Sequence, residues 1–240
     1  MAHQHPSTGS QRYGGTAPST AIDTGLRAFM LRVYNYMAGG LALTGAVAYF
    51  GATSGFYASI AGSPLFWVVL LAPLALVFFL SFRIDRMRLA TAQISFWIYA
   101  TLVGLSLSGI FLVYTGESIA RVFFIAAASF AGTSLYGYST RADLSRFGSF
   151  LFMGLFGIVI AGLVNTFLAS SGLQLAISVV GVFLFVGLTA FDTQRLKAIY
   201  VAGEDEAMAG KKAIIGALAL YLDFLNLFLM LMQLLGNRRR

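Results

Sequence analysis

The stretch GALALYLDFLNLFLMLMQLLG, from Gly216 to Gly236, is almost entirely apolar and contains a single acidic residue, Asp223. It is long enough to cross a bilayer, because a membrane-spanning helix needs about 20 apolar residues. A carboxylate near the middle of such a helix costs on the order of 2.5–3.5 kcal/mol on insertion scales. The stretch therefore predicts a transmembrane helix with an acid that needs a structural or functional reason.

The composition of the whole chain predicts an integral membrane protein. Of the 240 residues, 58% are hydrophobic and 10% are charged, whereas a soluble domain carries about 25% charged residues. The absence of cysteine excludes disulfides, thiolate nucleophiles and cysteine-bound zinc. The net charge of +7 comes from basic residues in the predicted loops, so the positive-inside rule explains it and nucleic-acid binding is not expected.

Seven apolar segments predict an all-α membrane protein with seven transmembrane helices. The lipid bilayer is therefore an expected partner of the protein. Short connections between the segments predict that neighbouring helices are antiparallel. The segments are Val33–Ala52, Leu65–Phe82, Thr91–Tyr114, Ile119–Tyr138, Phe147–Ala169, Leu173–Phe191 and Ala213–Leu235.

Three regions follow from this pattern: a polar N-terminal tail (residues 1–24), the seven-helix membrane domain (25–236) and a basic C-terminal tail (237–240). The N-terminal tail is rich in Gly, Ser and Thr and is predicted to be disordered, since it has too little apolar surface to fold. It contains both histidines, His3 and His5. A metal site is not expected there, because a flexible terminus holds the two side chains together only loosely.

Basic residues predict the orientation of the chain. With a cytoplasmic N-terminus, 12 of the 16 Lys and Arg residues fall on the cytoplasmic side. The terminal NRRR (residues 237–240) breaks the rule, so either the C-terminus lies outside despite its charge or one segment is re-entrant. We favour seven full spans in the cell membrane, which is the inner membrane if the organism is Gram-negative.

Two acidic residues need an explanation: Asp223 and Asp192, which directly follows the sixth predicted span. Asp192 could pair with Arg195 at i+3. No basic residue lies within ten positions of Asp223 on its own helix, although Asn226 at i+3 could offer an amide to the carboxylate. A cytoplasmic loop joins the two helices, so both acids lie in the same half of the membrane. They meet only if both helices extend a turn or more into the cytoplasm.

If the two carboxyl groups meet, they form a proton-sensitive switch. Two carboxylates in contact do not both ionise cheaply, so the pair shares a proton. Loss of that proton leaves a doubly charged pair that repels or recruits a cation, and calcium is favoured by oxygen ligands. The residues thus favour a pH-gated cation path in which Asp192 and Asp223 bind calcium transiently.

The runs AFDTQRLK (residues 190–197) and ALALYLDFLNLFLMLMQLLG (217–236) resemble the Bax inhibitor family, the transmembrane BAX inhibitor motif proteins, and in particular its bacterial branch. The resemblance covers roughly residues 25–236. It implies an all-helical fold in which the last helix is central and enclosed by the other six. Bacterial members of the family include a pH-sensitive calcium leak, others modulate a membrane-bound quality-control protease, and eukaryotic relatives restrain cell death.

The resemblance also implies roles for particular residues. The paired aspartates of the family fall on Asp192 and Asp223. In some members a basic residue at the end of the second span latches to the first aspartate; Arg83 is the best match here, with Arg86 and Arg88 as alternatives. The direction of the pH response stays open, because protonation could close the path by joining the helices or open it by freeing Arg83.

Three other function classes compete with the cation leak. An intramembrane aspartyl protease also places one aspartate on each of two adjacent helices, but its Gly-x-Gly-Asp motif is absent, so neither enzymatic activity nor a cofactor is expected. The main alternative is a membrane interaction protein that modulates a membrane quality-control protease or a stress response. A secondary transporter that uses Asp223 as its proton site is less favoured.

Overall fold

The computed structural model describes residues 19–239, a stretch that forms eight α-helices. Seven of them are long, and the short α2 joins the first two of these. Two single turns of 3-10 helix, Ile84–Arg86 and Leu144–Phe147, lie in the connections before α4 and α6. The helices are α1 (Ser19–Thr53), α2 (Phe56–Ile60), α3 (Pro64–Arg83), α4 (Leu89–Val113), α5 (Gly116–Ser139), α6 (Gly148–Leu168), α7 (Ser171–Ile199) and α8 (Glu206–Leu235).

Six helices, α3 to α8, are long and apolar enough to cross a membrane. The remaining long helix, α1, is not among the six, because tyrosine, asparagine and glycine residues make it the least apolar of the long helices. The prediction of an all-helical membrane protein is therefore confirmed, with six candidate spans by length and composition.

Two neighbouring helices, α7 and α8, extend well beyond the predicted spans at the same end of the bundle. α7 continues about two turns past Phe191, to Ile199, and α8 begins about two turns before Ala213, at Glu206. Hydropathy ends a predicted span at the first charged residues, whereas these helices carry their charges on extensions past the apolar segment. Both extensions matter for the aspartates, because they let the charged ends of α7 and α8 lie side by side.

The start of α1 corrects the predicted boundary of the N-terminal tail. The helix begins at Ser19, so residues 19–24 are helical and not part of a disordered tail. Once nucleated, a helix gains a hydrogen bond for every residue added, and it continues here through residues too polar to be included in a predicted span. Residues 1–18, with His3 and His5, lie outside the described residues.

The last helix, α8, occupies the centre of the bundle. It packs against α1, α4, α5 and α7. Of the residues in its most apolar stretch, 67% are buried, compared with 44% for α7 and 6% for α6. A helix that is apolar on all sides is expected to be buried in this way, so a charged side chain within this stretch of α8 has little access to water.

Small residues allow the helices to approach closely. A Cβ atom at Gly104 on α4 would lie 2.8 Å from the carbonyl oxygen of Thr44 on α1, and a Cβ at Gly137 on α5 would overlap the carbonyl oxygen of Ala190 on α7. Close contact at Gly, Ala and Ser is the usual way in which helices associate in lipid. The bundle is therefore held together by close backbone packing around α8.

We call the two ends of the bundle the charged end and the amide end. The charged end holds the start of α1 and the loops at residues 139–148 and 199–206. The amide end holds the turns at residues 113–116 and 168–171 together with the C-terminus.

Residues 237–239 are paired with the turn between α4 and α5. Tyr114 and Arg238 form an isolated antiparallel bridge. The amide of Thr115 donates to the carbonyl of Asn237 at 3.1 Å, and the amide of Asn237 donates to Ser118 Oγ at 2.8 Å. The described chain therefore ends at the opposite end of the bundle from the start of α1.

Candidate functional site

The site lies on the antiparallel interface between α7 and α8. A Cβ at Gly216 would overlap the side chain of Leu196, and further along the same interface a Cβ at Gly181 would lie 2.8 Å from Met230 Cγ. Between these two close approaches, the side chains of Asp192 and Asp223 lie close enough to interact directly. The condition set by the sequence, that both helices extend beyond the apolar segment, is met.

The two aspartates differ in burial and in hydrogen bonding. Asp223 is buried, with 5% of its surface exposed, and Asp192 is half-buried. One oxygen of Asp223, Oδ2, is buried without a hydrogen-bond partner among the described residues. A buried charge without a partner is costly, and two carboxyls in contact reduce that cost by sharing one proton. The arrangement can hold a proton or, after its loss, a cation.

Arg195 is the basic residue whose charge acts on Asp192. The structure does not place Arg83 against either aspartate. Arg83 is exposed at the end of α3 and forms no ion pair within residues 19–239. The physical reason is that α3 packs mainly on α4, at the edge of the bundle.

Asn226 does not donate to Asp223. Its side-chain amide donates to the carbonyl of Leu222 at 2.9 Å, one turn back on the same helix. A short polar side chain in a helix readily bonds this nearby carbonyl, and here that bond takes the place of the predicted support for the carboxylate.

A chain of hydroxyl groups that ends at the residue after Asp192 was not predicted. Tyr34 Oη and Ser134 Oγ are 2.6 Å apart, and Ser134 Oγ lies 3.0 Å from Thr193 Oγ1. Ser134 and Thr193 are almost wholly buried, and Thr193 follows Asp192 in the sequence. The chain links α1, α5 and α7, and the sequence signal for it was the presence of hydroxyl groups inside apolar helices.

The opposite face of α8 carries a separate polar contact. Tyr221 is fully buried, and its hydroxyl lies 2.6 Å from Thr44 Oγ1 on α1. The same Thr44 hydroxyl donates to the carbonyl of Ala100 on α4 at 2.9 Å. Tyr221 therefore faces away from the aspartate pair and ties α8 to α1 and α4.

The segment of α7 that carries Asp192 is fixed to the loop between α5 and α6. Gln194 donates to the carbonyl of Ala142 at 2.7 Å and accepts from the amide of Leu144 at 2.8 Å. Lys197 Nζ donates to the carbonyl of Tyr138 at 2.7 Å and lies 5.0 Å above the ring of that tyrosine. The end of α7 that carries Asp192 is therefore held in place by these hydrogen bonds.

The aspartate pair by itself offers few oxygen ligands for a cation. Within residues 19–239 there is no group of three or more His, Cys, Asp or Glu side chains that could hold a metal. Calcium takes six to eight oxygen ligands, and two carboxyl groups offer at most four. Water or backbone oxygens would have to supply the rest of the coordination at Asp192 and Asp223.

Similar proteins occur in several bacteria. The chain is 51% identical over 236 residues to the protein RP147 of Rickettsia prowazekii (strain Madrid E), which covers 93% of this chain and 95% of that protein. It is 46% identical over 219 residues to the inner membrane protein YbhL of Escherichia coli (strain K12), covering 90% and 94% of the two chains. A protein of Caulobacter vibrioides is 44% identical over 232 residues, covering 91% and 92%.

The family match covers nearly the whole chain. The family model described as inhibitor of apoptosis-promoting Bax1 matches residues 26–240, a range that includes both aspartates and all six candidate spans. The resemblance carried by the runs at residues 190–197 and 217–236 is thereby confirmed. The chain belongs to the Bax inhibitor-1 family of membrane proteins.

Proposed function

We propose that this protein is a pH-sensitive cation leak, with calcium as a permeant ion, gated by Asp192 and Asp223. The observation that carries the proposal is the contact of two acids on the central helix and its neighbour, where one oxygen of Asp223 is buried without a partner among the described residues. An unsatisfied buried polar group costs about 1–3 kcal/mol. A proton or a cation at this oxygen removes that cost, so the pair responds to both.

The gating step follows from the charge of the pair. With one shared proton, a hydrogen bond joins the two carboxyls and holds α7 against α8. Without the proton, two negative charges in contact either separate or bind a cation. Because α8 is the central helix, a change in this one contact alters the packing of the bundle around it.

The contacts along the rest of the α7–α8 interface indicate where the ion path would be closed. From the pair towards the amide end, an ion first meets the apolar contact of Met230 with Gly181. Beyond it lie the oxygens of Ser178 and Gln233, which are hydrogen-bonded to each other at 2.7 Å. The apolar contact between two polar clusters is the stretch that must open for an ion to pass.

The proposal includes a membrane topology. α1 runs parallel to α4, with Gly40 against Phe96 and Gly104 against Thr44, and we assign it as a seventh span. The loops of the charged end carry most of the basic residues, which supports a cytoplasmic location for that end and for the N-terminus. The name of the relative YbhL, an inner membrane protein, supports the inner membrane as the location.

The test is calcium flux into liposomes that contain the purified protein, measured from about pH 6 to about pH 8. We expect wild-type flux to change with pH. Asp192→Asn and Asp223→Asn should each remove the pH dependence as fully as the double change, because the residues titrate as one pair. Glu117→Gln, at an exposed acid of the amide end, is the matched control and should keep it.

Two results would contradict the proposal. Absence of calcium flux in the wild type at every pH would exclude a leak and favour the family alternative of a membrane interaction protein acting on a protease. A wild-type pH dependence that survives in the double variant would place the sensor elsewhere.

A further inference from the structure

A cleft of about 790 Å³ lies between α1 and α5, outside the interface that holds the aspartates. Both helices pack on α8, and Phe224 of α8 forms part of the lining between them. Leu31 and Leu135 line the cleft and are half or more exposed, so it opens onto the side of the bundle. Its volume is in the range of ligand pockets in proteins.

The lining of the cleft is amphiphilic in one direction. Most of it is apolar, with Met37, Ala127 and Ala131 as examples. Polar groups are concentrated towards the charged end, where Arg27 and Tyr138 lie near the start of α1 and the end of α5. Arg27 is exposed and forms no ion pair with the side chains that the structure describes. A long apolar slot with an arginine at its mouth fits an amphiphile with an anionic head.

We propose that this cleft binds a phospholipid of the surrounding membrane, with an acyl chain between α1 and α5 and its phosphate at Arg27. Apolar cavities of this kind do not hold ordered water, and a cleft on the side of a membrane bundle opens towards acyl chains. A guanidinium binds phosphate through paired charge-assisted hydrogen bonds. Basic residues at the membrane surface also attract anionic lipids.

The position of the cleft gives the lipid direct contact with α8 and reaches α7 only through a side chain of α5. Phe224, which lines the cleft, is the residue after Asp223. Ser134 also lines it, and its hydroxyl lies 3.0 Å from that of Thr193, the residue after Asp192. A bound acyl chain therefore packs against groups that neighbour the pair, although lipid binding itself does not depend on the leak.

The first experiment measures lipid retention by the full-length protein in detergent, using native mass spectrometry after addition of phosphatidylglycerol or phosphatidylcholine. Ala131→Trp fills the cleft from α5, and Ala38→Trp fills it from α1. Ala128→Trp is the matched control, because Ala128 is exposed on α5 outside the cleft. We expect wild type and the control to retain phosphatidylglycerol, and both cleft-filling variants to bind it at least about tenfold more weakly.

A second pair of variants tests the head group. Arg27→Gln should reduce the preference for phosphatidylglycerol over phosphatidylcholine, whereas Arg141→Gln, at an exposed arginine in the loop before α6, should keep it. Equal retention by wild type and both cleft-filling variants would overturn the site. Equal binding of the two lipids by wild type would overturn the assignment of the phosphate to Arg27. Elution as a single monodisperse species establishes that each variant is folded. Because the two tryptophan changes lie on opposite walls of the cleft, one of them still tests the site if the other does not fold.

Discussion

The two ends of the α7–α8 interface carry polar groups of different kinds. At the charged end, Asp192 and Asp223 are in contact and one oxygen of Asp223 has no partner among the described residues. Towards the amide end, Ser178 Oγ donates to Gln233 Oε1 at 2.7 Å, and the side-chain amide of Gln174 donates to the same oxygen. Hydroxyl and amide groups can satisfy one another, whereas two carboxylates cannot do so without a proton or a cation.

The amide cluster also closes on the backbone of the turn between α6 and α7. Asn165 donates to Gln174 Oε1 at 3.0 Å and accepts from the amide of Ser170 at 3.0 Å. Such a network holds two helices and a turn together without changing its charge. Polar residues in a membrane interface are therefore a weak sign of function by themselves, and an ionisable pair with an unsatisfied oxygen is a stronger one.

The largest expected effect concerns the packing that positions Asp192. Gly137→Ala would place a Cβ against the carbonyl oxygen of Ala190, and no flexible side chain is there to move aside. We expect it to lower the free energy of unfolding by about 1–3 kcal/mol. Gly132→Ala, on the same helix with open space at its Cβ, should be neutral or slightly stabilising. Thermal unfolding in detergent compares the two, and equal melting temperatures would show that the close approach does not hold α5 to α7.

A smaller loss is expected at the amide end. Gln233→Ala removes the acceptor for Ser178 and Gln174, and Ser178 is almost wholly buried. We expect a loss of about 0.5–1.5 kcal/mol from the broken hydrogen bonds, since Ser178 Oγ keeps its bond to the carbonyl of Gln174 at 2.9 Å. A double-mutant cycle with Ser178→Ala should give a coupling energy of at least about 0.5 kcal/mol. Additive effects would mean that the cluster is not a network.

The opposite sign is expected at the aspartate pair. Asp223→Asn replaces a buried acid with an amide that can donate to Asp192, so the free energy of unfolding should stay unchanged or rise by up to about 1 kcal/mol. Asn is close to Asp in shape, which keeps the packing of α8 intact. The melting temperature in detergent without calcium is the measurement. A loss as large as that of Gln233→Ala would make the pair a structural contact like the amide cluster and remove the contrast between the two ends.

The sequence predicted the parts of this comparison that depend on one helix at a time. The length of apolar runs placed α3 to α6 to within a few residues, and the cost of an acid in lipid singled out Asp223. The covalent link between α7 and α8 then brought Asp192 into the same half of the membrane. The contact itself depends on the helical extensions around Ile199 and Glu206. Their charged residues give these stretches the low hydropathy of a loop, so hydropathy alone did not predict them as helix.

Features that depend on helices far apart in the chain could not be predicted. Whether Arg83 reaches Asp192 depends on how α3 packs, and the cleft between α1 and α5 exists because both helices rest on α8 while leaving space between themselves. The amide cluster was missed for another reason. Single Ser, Gln and Asn residues are tolerated in spans, so Ser178 and Gln233 did not stand out until the structure placed them together.

The smallest expected effect compares an ion pair at each end. Lys212 and Glu204 at the charged end are 2.7 Å apart with side chains 27% and 19% exposed, and Arg121 and Glu117 at the amide end are also 2.7 Å apart but 55% and 84% exposed. Because the distances are equal, the difference in solvent screening decides the energies. Arg121→Gln should cost about 0.2–0.5 kcal/mol and less at high salt. Lys212→Gln should cost more, since Lys212 Nζ also donates to the carbonyl of Ile199 at 3.2 Å and so holds the loop between α7 and α8. Equal losses with equal salt dependence would show that the charged end gains no rigidity from this pair, and the fixed placement of Asp192 would then rest on the contacts of α7 with the loop before α6.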